Sequence, residues 1–568
     1  MESLTQESIL ARLRFLDDGL EKTALRSRIG RAVGHRDISF AELRELSAHA
    51  AINLIEQGAV PGNRVAVLMP HGIYLVAQFF GAILCGAVPC IIAWPTAKMD
   101  ADKYRRNITT VVSRLQADFL VTDGASADAL GSFLEHTTVI DPAASQSRAT
   151  GTVLPPCPSR AASEPLFIQF SGGTTGAQKS VPISIEMLMR QLNAYASALA
   201  LSPSDRIISW LPLYHDMGLI ACLLLPFLYR LPLSMFAPME WVMDPTPFLD
   251  HVGKDRSTLM WLPNFAFSFM ANKVRDTSSL DLSTIRATIN CSEPLREESI
   301  SAFASRFASA GFKPSALGSC YAMAEATFAL TQSAPEAAPR RLAVGRSKFS
   351  TGVVEMPTSE ADRRVLVSSG KPLPEVEIRI SGNGLGPGEI WVRAPFVMTG
   401  YLDESVPKSE LFEDGFYRTG DVGLLHDGEL FVTGRMKDLI IVGGVNVFPE
   451  DVEFASHAVR GVHPGRVVAL GFSDRGAGTE RLVVVAEVDD PAMLDEEATR
   501  IESDLRRAIL SDCGVAPACV LLVPPKWTLK STAGKISRSE TRAKLLRELG
   551  ENHLFRGQNV TFLKEPTE

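Results

Sequence analysis

Apolar positions in FAELRELSAHAAINLIEQG (40–58) recur at helical spacing and stop at Gly58; they then condense into the short block RVAVLM (64–69). The first spacing predicts an amphipathic helix and the second a buried strand. From Ile73 to Trp94 no charged residue occurs, a run long enough to match a membrane span. Gly81, Gly86 and Pro89 break it, and VPCIIAW (88–94) has strand character. The expectation is a helix followed by a buried parallel strand, with no membrane insertion. Further apolar blocks follow at ADFLVTD (117–123), PLFIQF (165–170), RIISWLP (206–212), TLMWLP (258–263) and IRATINC (285–291), with helical stretches between them. Such alternation predicts doubly wound parallel sheets with ligands beyond the carboxyl ends of the strands.

After about residue 340 the texture changes. VEIRI (376–380), GEIWVRA (388–394), GFYRTGD (415–421) and GELFVTGR (428–435) are short strands between turns containing Gly or Pro, the pattern of a small antiparallel sheet or barrel. A boundary falls near Gly434–Lys437. Beyond it VVALGF, RLVVVAEV, a helix near 491–511, CVLLVPP and a helix near 537–549 outline an α+β unit, and the polar tail after Glu551 reads as frayed. The expected fold class is α/β: a large N-terminal domain (1–435) of two doubly wound sheets plus a small antiparallel β-barrel, followed by a small α+β C-terminal domain (436–568).

Composition narrows the function classes. Lys and Arg number 57 against 65 Asp and Glu, a net charge of −8; a general nucleic-acid binder needs clustered cations instead. The eight cysteines form no C-x-x-C pair and no zinc-spaced cluster, so they read as reduced core thiols. MESLTQESILARLRFLDDG mixes both charge signs without an apolar block, which reads as no secretory signal and a cytoplasmic location.

The sharpest chemical signal is FIQFSGGTTGAQKSVPIS (167–184), where a strand enters a loop of Ser171, Gly172, Gly173, Thr174, Thr175, Gly176 and Lys179. Glycines let backbone N–H groups approach an anion, hydroxyls donate to phosphate oxygens and the lysine adds charge. The Walker spacing is not met, and alone the stretch also fits a plain Gly/Ser/Thr turn.

Seven further segments accompany it in order: WLPLYHDMGLI (210–220), WLPNFAF (261–267), NCSEPL (290–295), SCYAMAEAT (319–327), YRTGDVG (417–423), GRMKDLIIVGGVNVFPEDVE (434–453) and KSTAGKISR (530–538). With the loop they resemble the adenylate-forming enzymes over nearly the whole chain, and within that superfamily the fatty acyl-AMP ligases. The resemblance implies that ATP and Mg2+ activate a fatty or other hydrophobic carboxylic acid as its acyl-adenylate. The acyl group then passes to an acyl carrier protein or to a carrier domain of a polyketide or nonribosomal peptide synthase. Both reactants are anionic, so the site must screen charge and hold an in-line geometry.

Residue by residue, the resemblance places the β- and γ-phosphates on the Ser171–Lys179 loop and Mg2+ on Glu325 and Thr175. Ser292, Glu293, Pro294, Tyr321, Ala322 and Met323 border the adenine, and Asp421 and Arg435 hold the ribose. His215 faces the acyl carboxylate, with Asp216 orienting the loop or capping the next helix. Lys535 bridges carboxylate and α-phosphate as the catalytic cation. Lys437 is the hinge of a C-terminal domain that must be mobile to deliver Lys535. Read from the residues alone, His215 is equally a core histidine and Lys437 a solvated charge.

The acyl side is less defined. PNFAFSFM (263–270) and IACLLLPFL (220–228) line an apolar tunnel or are plain core. The segment 349–369, FSTGVVEMPTSEADRRVLVSS, sits where the resembled family carries an insertion that restrains the C-terminal domain and accompanies loss of CoA use. Ala322, Gln178, Ser180 and NCSEP depart from the family's usual residues, which leaves the acyl group open. Two alternatives stand beside this reading: an acyl-CoA synthetase, and a non-catalytic adenylate-binding regulatory module.

Overall fold

The computed structural model describes residues 1–28, 35–95, 101–126, 134, 136–145, 160–171, 179–382, 386–403, 406–474, 479–530, 536–550 and 561–562. The helix Phe40–Glu56 lies against the helix Ile73–Leu84. Gly81 is their point of closest approach: a Cβ there would stand 2.5 Å from Ala50 Cβ and 2.9 Å from Ser47 O. Gly81 therefore packs two helices together and does not break the run, as its sequence context suggested. The helix ends before Gly86 (φ 83°) and the strand Val88–Ile91 follows. Among the described residues no helix is long and apolar enough to cross a membrane.

Two sheets organise the larger part of the chain. Val88–Ile91, Arg64–Val67, Phe119–Val121 and Thr138–Ile140 form a four-stranded parallel sheet in that order. The other sheet has nine strands, in the spatial order Lys371–Pro372, Ala329–Gln332, Leu317–Ala322, Ala287–Asn290, Leu259–Leu262, Ile207–Ser209, Leu233–Met235, Thr23–Arg28 and His35–Ser39. Its six central strands are parallel throughout. LMWL and ATIN are buried at all four positions each, as strands covered on both faces must be. The edges are antiparallel: Thr23–Arg28 to His35–Ser39 and Leu317–Ala322 to Ala329–Gln332 are joined by connections too short for a parallel crossover, whereas Lys371–Pro372 returns after the long stretch 333–370. The strand Pro165–Phe170 enters a hairpin with Ser180–Ser184.

Glu377–Ile380, Gly388–Arg393, Phe412–Glu413, Phe416–His426 and Glu429–Arg435 make a five-stranded antiparallel sheet. In the C-terminal part, Val462–Asp474, Thr479–Val488 and Cys519–Val523 alternate their side chains between two clusters. One cluster holds Ala469, Val484 and Val520 with Leu505 and Ile509 of the helix Ala498–Cys513; the other holds Val468, Val485 and Leu521 with Trp527 and Leu545. The main N-terminal core shares no buried side chain with either. Thr561–Phe562 adds a parallel strand beside Leu521–Leu522, so the tail read as frayed contributes a sheet edge. Cys85, Cys90, Cys222, Cys291, Cys320 and Cys519 are free and buried and Cys513 is half-buried, as expected of core thiols.

Candidate active site

Four neighbouring strands of the nine-stranded sheet lead at their carboxyl ends, where an open α/β sheet binds ligands, to three sets of expected residues and to Asn264. Ile207–Ser209 leads to His215, Leu259–Leu262 to Asn264, Ala287–Asn290 to Ser292–Pro294, and Leu317–Ala322 to Glu325. The loops interlock through Asn264, whose Oδ1 accepts from Asn290 Nδ2 and Arg296 N, both at 3.0 Å. Glu293 Oε2 accepts from Phe265 N at 2.9 Å, so its carboxylate braces this loop. Ser292 holds φ 70°, a left-handed conformation that costs a non-glycine residue of order 1–3 kcal/mol.

Asp421 and Arg435 face each other across an antiparallel strand pair. Arg435 Nε donates to Asp421 Oδ1 at 3.0 Å, and Tyr321 Oη donates to Asp421 Oδ2 at 2.7 Å. Burial, and then the Asp421 charge, raise the Tyr321 phenol well above its usual range, keeping it a donor. Asp421 raises the Arg435 guanidinium pKa in turn. The expected ribose residues and the expected adenine residue thus form one unit.

Glu325 lies in the turn Ala324–Ala326. Gln169, on the strand that leads into the Gly/Thr loop, is 2 % exposed and donates to Ala324 O at 3.1 Å and Thr327 O at 2.9 Å. Met398 N donates to Glu325 O at 2.7 Å. Tyr401 Oη donates to Glu325 Oε1 at 2.8 Å and lies 3.2 Å from Tyr417 Oη. Lys179 Nζ stands over the Tyr401 ring, 4.7 Å from its centroid. Among the described residues no cluster of three or more His, Cys, Asp or Glu could cage a metal. A single carboxylate linked through Tyr401 to a lysine is compatible with Mg2+, a hard cation that commonly takes one or two carboxylates plus substrate phosphates.

The loop's stems are described: Ser171 N donates to Lys179 O at 2.9 Å. Gly172, Gly173, Thr174, Thr175 and Gly176 lie outside the described residues, and so does Lys535. The flanks of the Lys535 segment pair with each other, through the bridge Lys530–Ile536 and Ser537 N donating to Leu529 O at 2.8 Å.

His215 sits in a turn closed by His215 N to Pro212 O at 3.3 Å and Leu219 N to His215 O at 2.8 Å. Asp216 caps the π-helix Met217–Leu224, accepting from Met217 N at 2.7 Å, one of the two roles expected for it. Burial pushes the neighbouring Tyr214 phenol up to about 12. Gly218 lets this turn form, because a Cβ there would lie 2.2 Å from Pro212 O. Gly218→Ala is expected to cost about 1–3 kcal/mol or more, since the obstacle is backbone, and thermal unfolding of the variant checks this.

Of the two apolar stripes, Ile220–Leu228 is core: Phe227 stacks on Phe80 at 4.2 Å and edges against Phe15 at 5.4 Å. The other stripe meets a stack of Trp210 on Trp241, 3.7 Å apart and 5° from parallel, with Phe265 edge-on to both. Phe265 is 47 % exposed, so of the two stripes this one reaches solvent.

The segment 346–369 meets the C-terminal part. Lys437 has its ammonium pKa lowered by desolvation and then by the Arg435 charge. The connection between Arg341–Gly345 and Arg363–Val367 runs over 346–362, so the segment read as 349–369 includes a true sheet strand at its end. Asp362 ties the connection shut by accepting from Ser347 N at 3.0 Å and Thr358 N at 3.2 Å. Arg364 pairs with Asp451 at 2.8 Å, Arg296 pairs with the same carboxylate at 2.7 Å, and Asn446 N donates to Ser350 O at 2.9 Å. Arg346 donates to Asp512 O. Phe349 and Leu366 share an apolar cluster with Phe448.

Tyr401, Tyr417, Gln169, Asn264 and the Arg296–Asp451–Arg364 cluster were not singled out in the sequence. Tyr417 precedes Asp421 by four residues within YRTGD, a proximity that marks it; the other contacts join residues far apart in the chain and carry no local signal.

The two-sheet α/β body carries Glu325 beyond the carboxyl end of a parallel strand and Asp421 on the adjoining antiparallel sheet, the arrangement expected of an adenylate-forming enzyme. The chain belongs to the AMP-binding enzyme family, which it matches over residues 17–402. It is 28 % identical to the medium-chain-fatty-acid–[acyl-carrier-protein] ligase JamA of Moorena producens, over 90 % of each protein. It is likewise 28 % identical to the long-chain-fatty-acid–AMP ligase FadD26 of Mycobacterium marinum, over 84 % of this chain and 86 % of that protein. A solved structure from the fatty acyl-adenylate ligases of E. coli and L. pneumophila superposes with a TM-score of 0.83 at 25 % identity, covering 96 % of this chain and 98 % of that one.

Proposed function

We propose that the protein is a fatty acyl-AMP ligase that loads a carrier protein. A carboxylate oxygen of a hydrophobic acid attacks the α-phosphorus of ATP, and the bond to pyrophosphate breaks. The thiol of a phosphopantetheine arm then attacks the acyl carbonyl, forming a thioester with loss of AMP and the thiol proton. The observation that carries this reading is the Tyr321–Asp421–Arg435 unit with the Lys179–Tyr401–Glu325 group. A carboxylate held by two donors still accepts from adjacent ribose hydroxyls, the logic of dinucleotide sites. Glu325, with Thr175, would hold Mg2+, which screens the triphosphate charge when bound. Lys179 and the glycine loop would hold the β- and γ-phosphates, and the 292–294 backbone, Tyr321, Ala322 and Met323 the base. His215 would face the acid, and Lys535, carried by a C-terminal domain beginning at 436 and hinged at Lys437, would stabilise the charge between the anions.

Two things support an aliphatic acid and a carrier acceptor: the substrates in the names of the relatives, and the latch. Arg346, Ser350 and Arg364 bond to Asp512, Asn446 and Asp451 of the C-terminal part, contacts that oppose the reorientation needed for free CoA to reach the adenylate. Deleting all of 349–369 would not test this cleanly, because Ser368 O and Ser369 O accept from Ser319 Oγ at 2.6 Å and Thr331 Oγ1 at 2.5 Å. The double variant Arg346→Ala/Arg364→Ala leaves those bonds intact. A hydrogen bond to a charged group contributes roughly 1.5–3 kcal/mol, so acyl-CoA formation is expected to rise about tenfold or more. To test the function itself, the enzyme is given ATP, Mg2+ and a mixed acid pool, then either CoA or a carrier bearing its phosphopantetheine arm. Acyl transfer to the carrier in excess of transfer to CoA is expected. Efficient transfer to CoA with none to carriers would favour the acyl-CoA synthetase reading.

A further inference from the structure

We infer that Tyr401 is a positioning residue that aims the Glu325 carboxylate and the Lys179 ammonium at one triphosphate, a role that rests on the ATP-dependent reading above. Three contacts meet on this side chain: its hydroxyl donates to Glu325 Oε1, its oxygen lies beside Tyr417 Oη, and Lys179 stands over its ring. Tyr401 and Tyr417 are 7 % and 4 % exposed, so water does not replace these contacts.

A phenol has one proton to give. With the Tyr401 proton on Glu325, Tyr417 must be the donor in the contact between the two hydroxyls. The relay therefore runs one way, from Tyr417 to Tyr401 to Glu325, and each bond polarises the next. The terminal torsion of a glutamate is otherwise broad. One lone pair of Oε1 is taken, and the remaining lone pairs acquire a fixed direction. The backbone of Glu325 is gripped by the same stretch of chain, through Met398 N. Residues 398–401 thus fix both ends of the proposed metal ligand.

The ring does separate work. A lysine ammonium is attracted to the face of a tyrosine, which holds Lys179 at the foot of the loop while its positive charge stays available to an anion. One side chain thereby sets the spacing between a cation-binding carboxylate and a phosphate-binding cation.

The two halves separate experimentally. Tyr401→Phe removes the proton and keeps the ring; Tyr401→Leu removes both. In the full-length protein with an α,β-methylene analogue of ATP, Mn2+ binding is read by electron paramagnetic resonance. Tyr401→Phe is expected to weaken Mn2+ binding about 10–100-fold, the usual effect of removing the partner that orients a metal ligand. AMP binding without metal, measured by calorimetry, is expected to stay at the wild-type value. Tyr401→Leu should in addition weaken metal-free binding of the analogue. Where Tyr401→Phe also loses AMP binding, Tyr417→Phe carries the test, because it strips only the donor to Tyr401 and should weaken Mn2+ in the same direction. Wild-type Mn2+ affinity in the Phe variants, in a protein that forms acyl-adenylate, overturns the inference and leaves the function standing. A wild-type protein that binds no Mn2+ with the analogue and exchanges no pyrophosphate overturns both.

Discussion

Replacing Lys535 by alanine is expected to lower acyl-adenylate formation about 100–1,000-fold, the range for removing one preorganised group that stabilises transition-state charge, while ATP binding persists. Attack of a carboxylate on a phosphate draws two anions together, and the other cations of the site serve different atoms. Arg435 is committed to Asp421 and Lys179 lies over Tyr401. The segment bearing Lys535 is anchored at its far side by Arg538, which pairs with Asp438 at 3.0 Å, Glu450 at 2.8 Å and Glu453 at 2.7 Å. Asp438 adjoins the proposed hinge, so the anchor and the pivot share a contact. Single-turnover measurement of acyl-adenylate, beside calorimetric ATP binding, separates rate from affinity. Unchanged acyl-adenylate formation in Lys535→Ala would remove the catalytic assignment.

Asp421→Ala should do the reverse, collapsing nucleotide affinity first. The carboxylate accepts from Tyr321 and Arg435 and is 8 % exposed. Its removal deletes the proposed ribose acceptor and takes the hydrogen-bond acceptor from the buried Tyr321 phenol and from Arg435 Nε. Each charged hydrogen bond to a ribose hydroxyl contributes roughly 1.5–3 kcal/mol, so AMP affinity should fall about 100-fold or more. Asp421→Asn keeps one acceptor oxygen and should fall between the two. Calorimetry with AMP alone, free of metal and acid, reads this directly. AMP binding unchanged in Asp421→Ala would show that the ribose lies elsewhere.

The sequence carried the strands and the order of the motifs because these are local. Apolar blocks such as RVAVLM and TLMWLP became strands within a residue or two, Arg64–Val67 and Leu259–Leu262. Period and burial on both faces leave little choice there. Gly81 was misread because a glycine inside an apolar run has the same local appearance whether it ends a helix or admits a neighbouring one; the decisive fact, Ala50 at 2.5 Å, lies 31 positions away. Antiparallel edges escaped the α/β pattern because strands as short as Lys371–Pro372 and Ala329–Gln332 have no period of their own. At the site, Asp421 and Arg435 were legible from their motifs. Tyr401 and Gln169 were not, because each acts by reaching a turn 76 or 155 residues distant. The segment 349–369 was read as one loop-like stretch, and its strand Arg363–Val367 needed its pairing to Arg341–Gly345 to be recognised.

Acid-dependent exchange of labelled pyrophosphate into ATP, run across acids of graded chain length, reads out acyl-adenylate formation at this site. Exchange is expected with at least one hydrophobic acid and none without acid, with loss of the signal in Lys535→Ala. Binding of AMP with no exchange for any acid would contradict acyl-adenylate formation, and would make the protein an adenylate-binding module without chemistry.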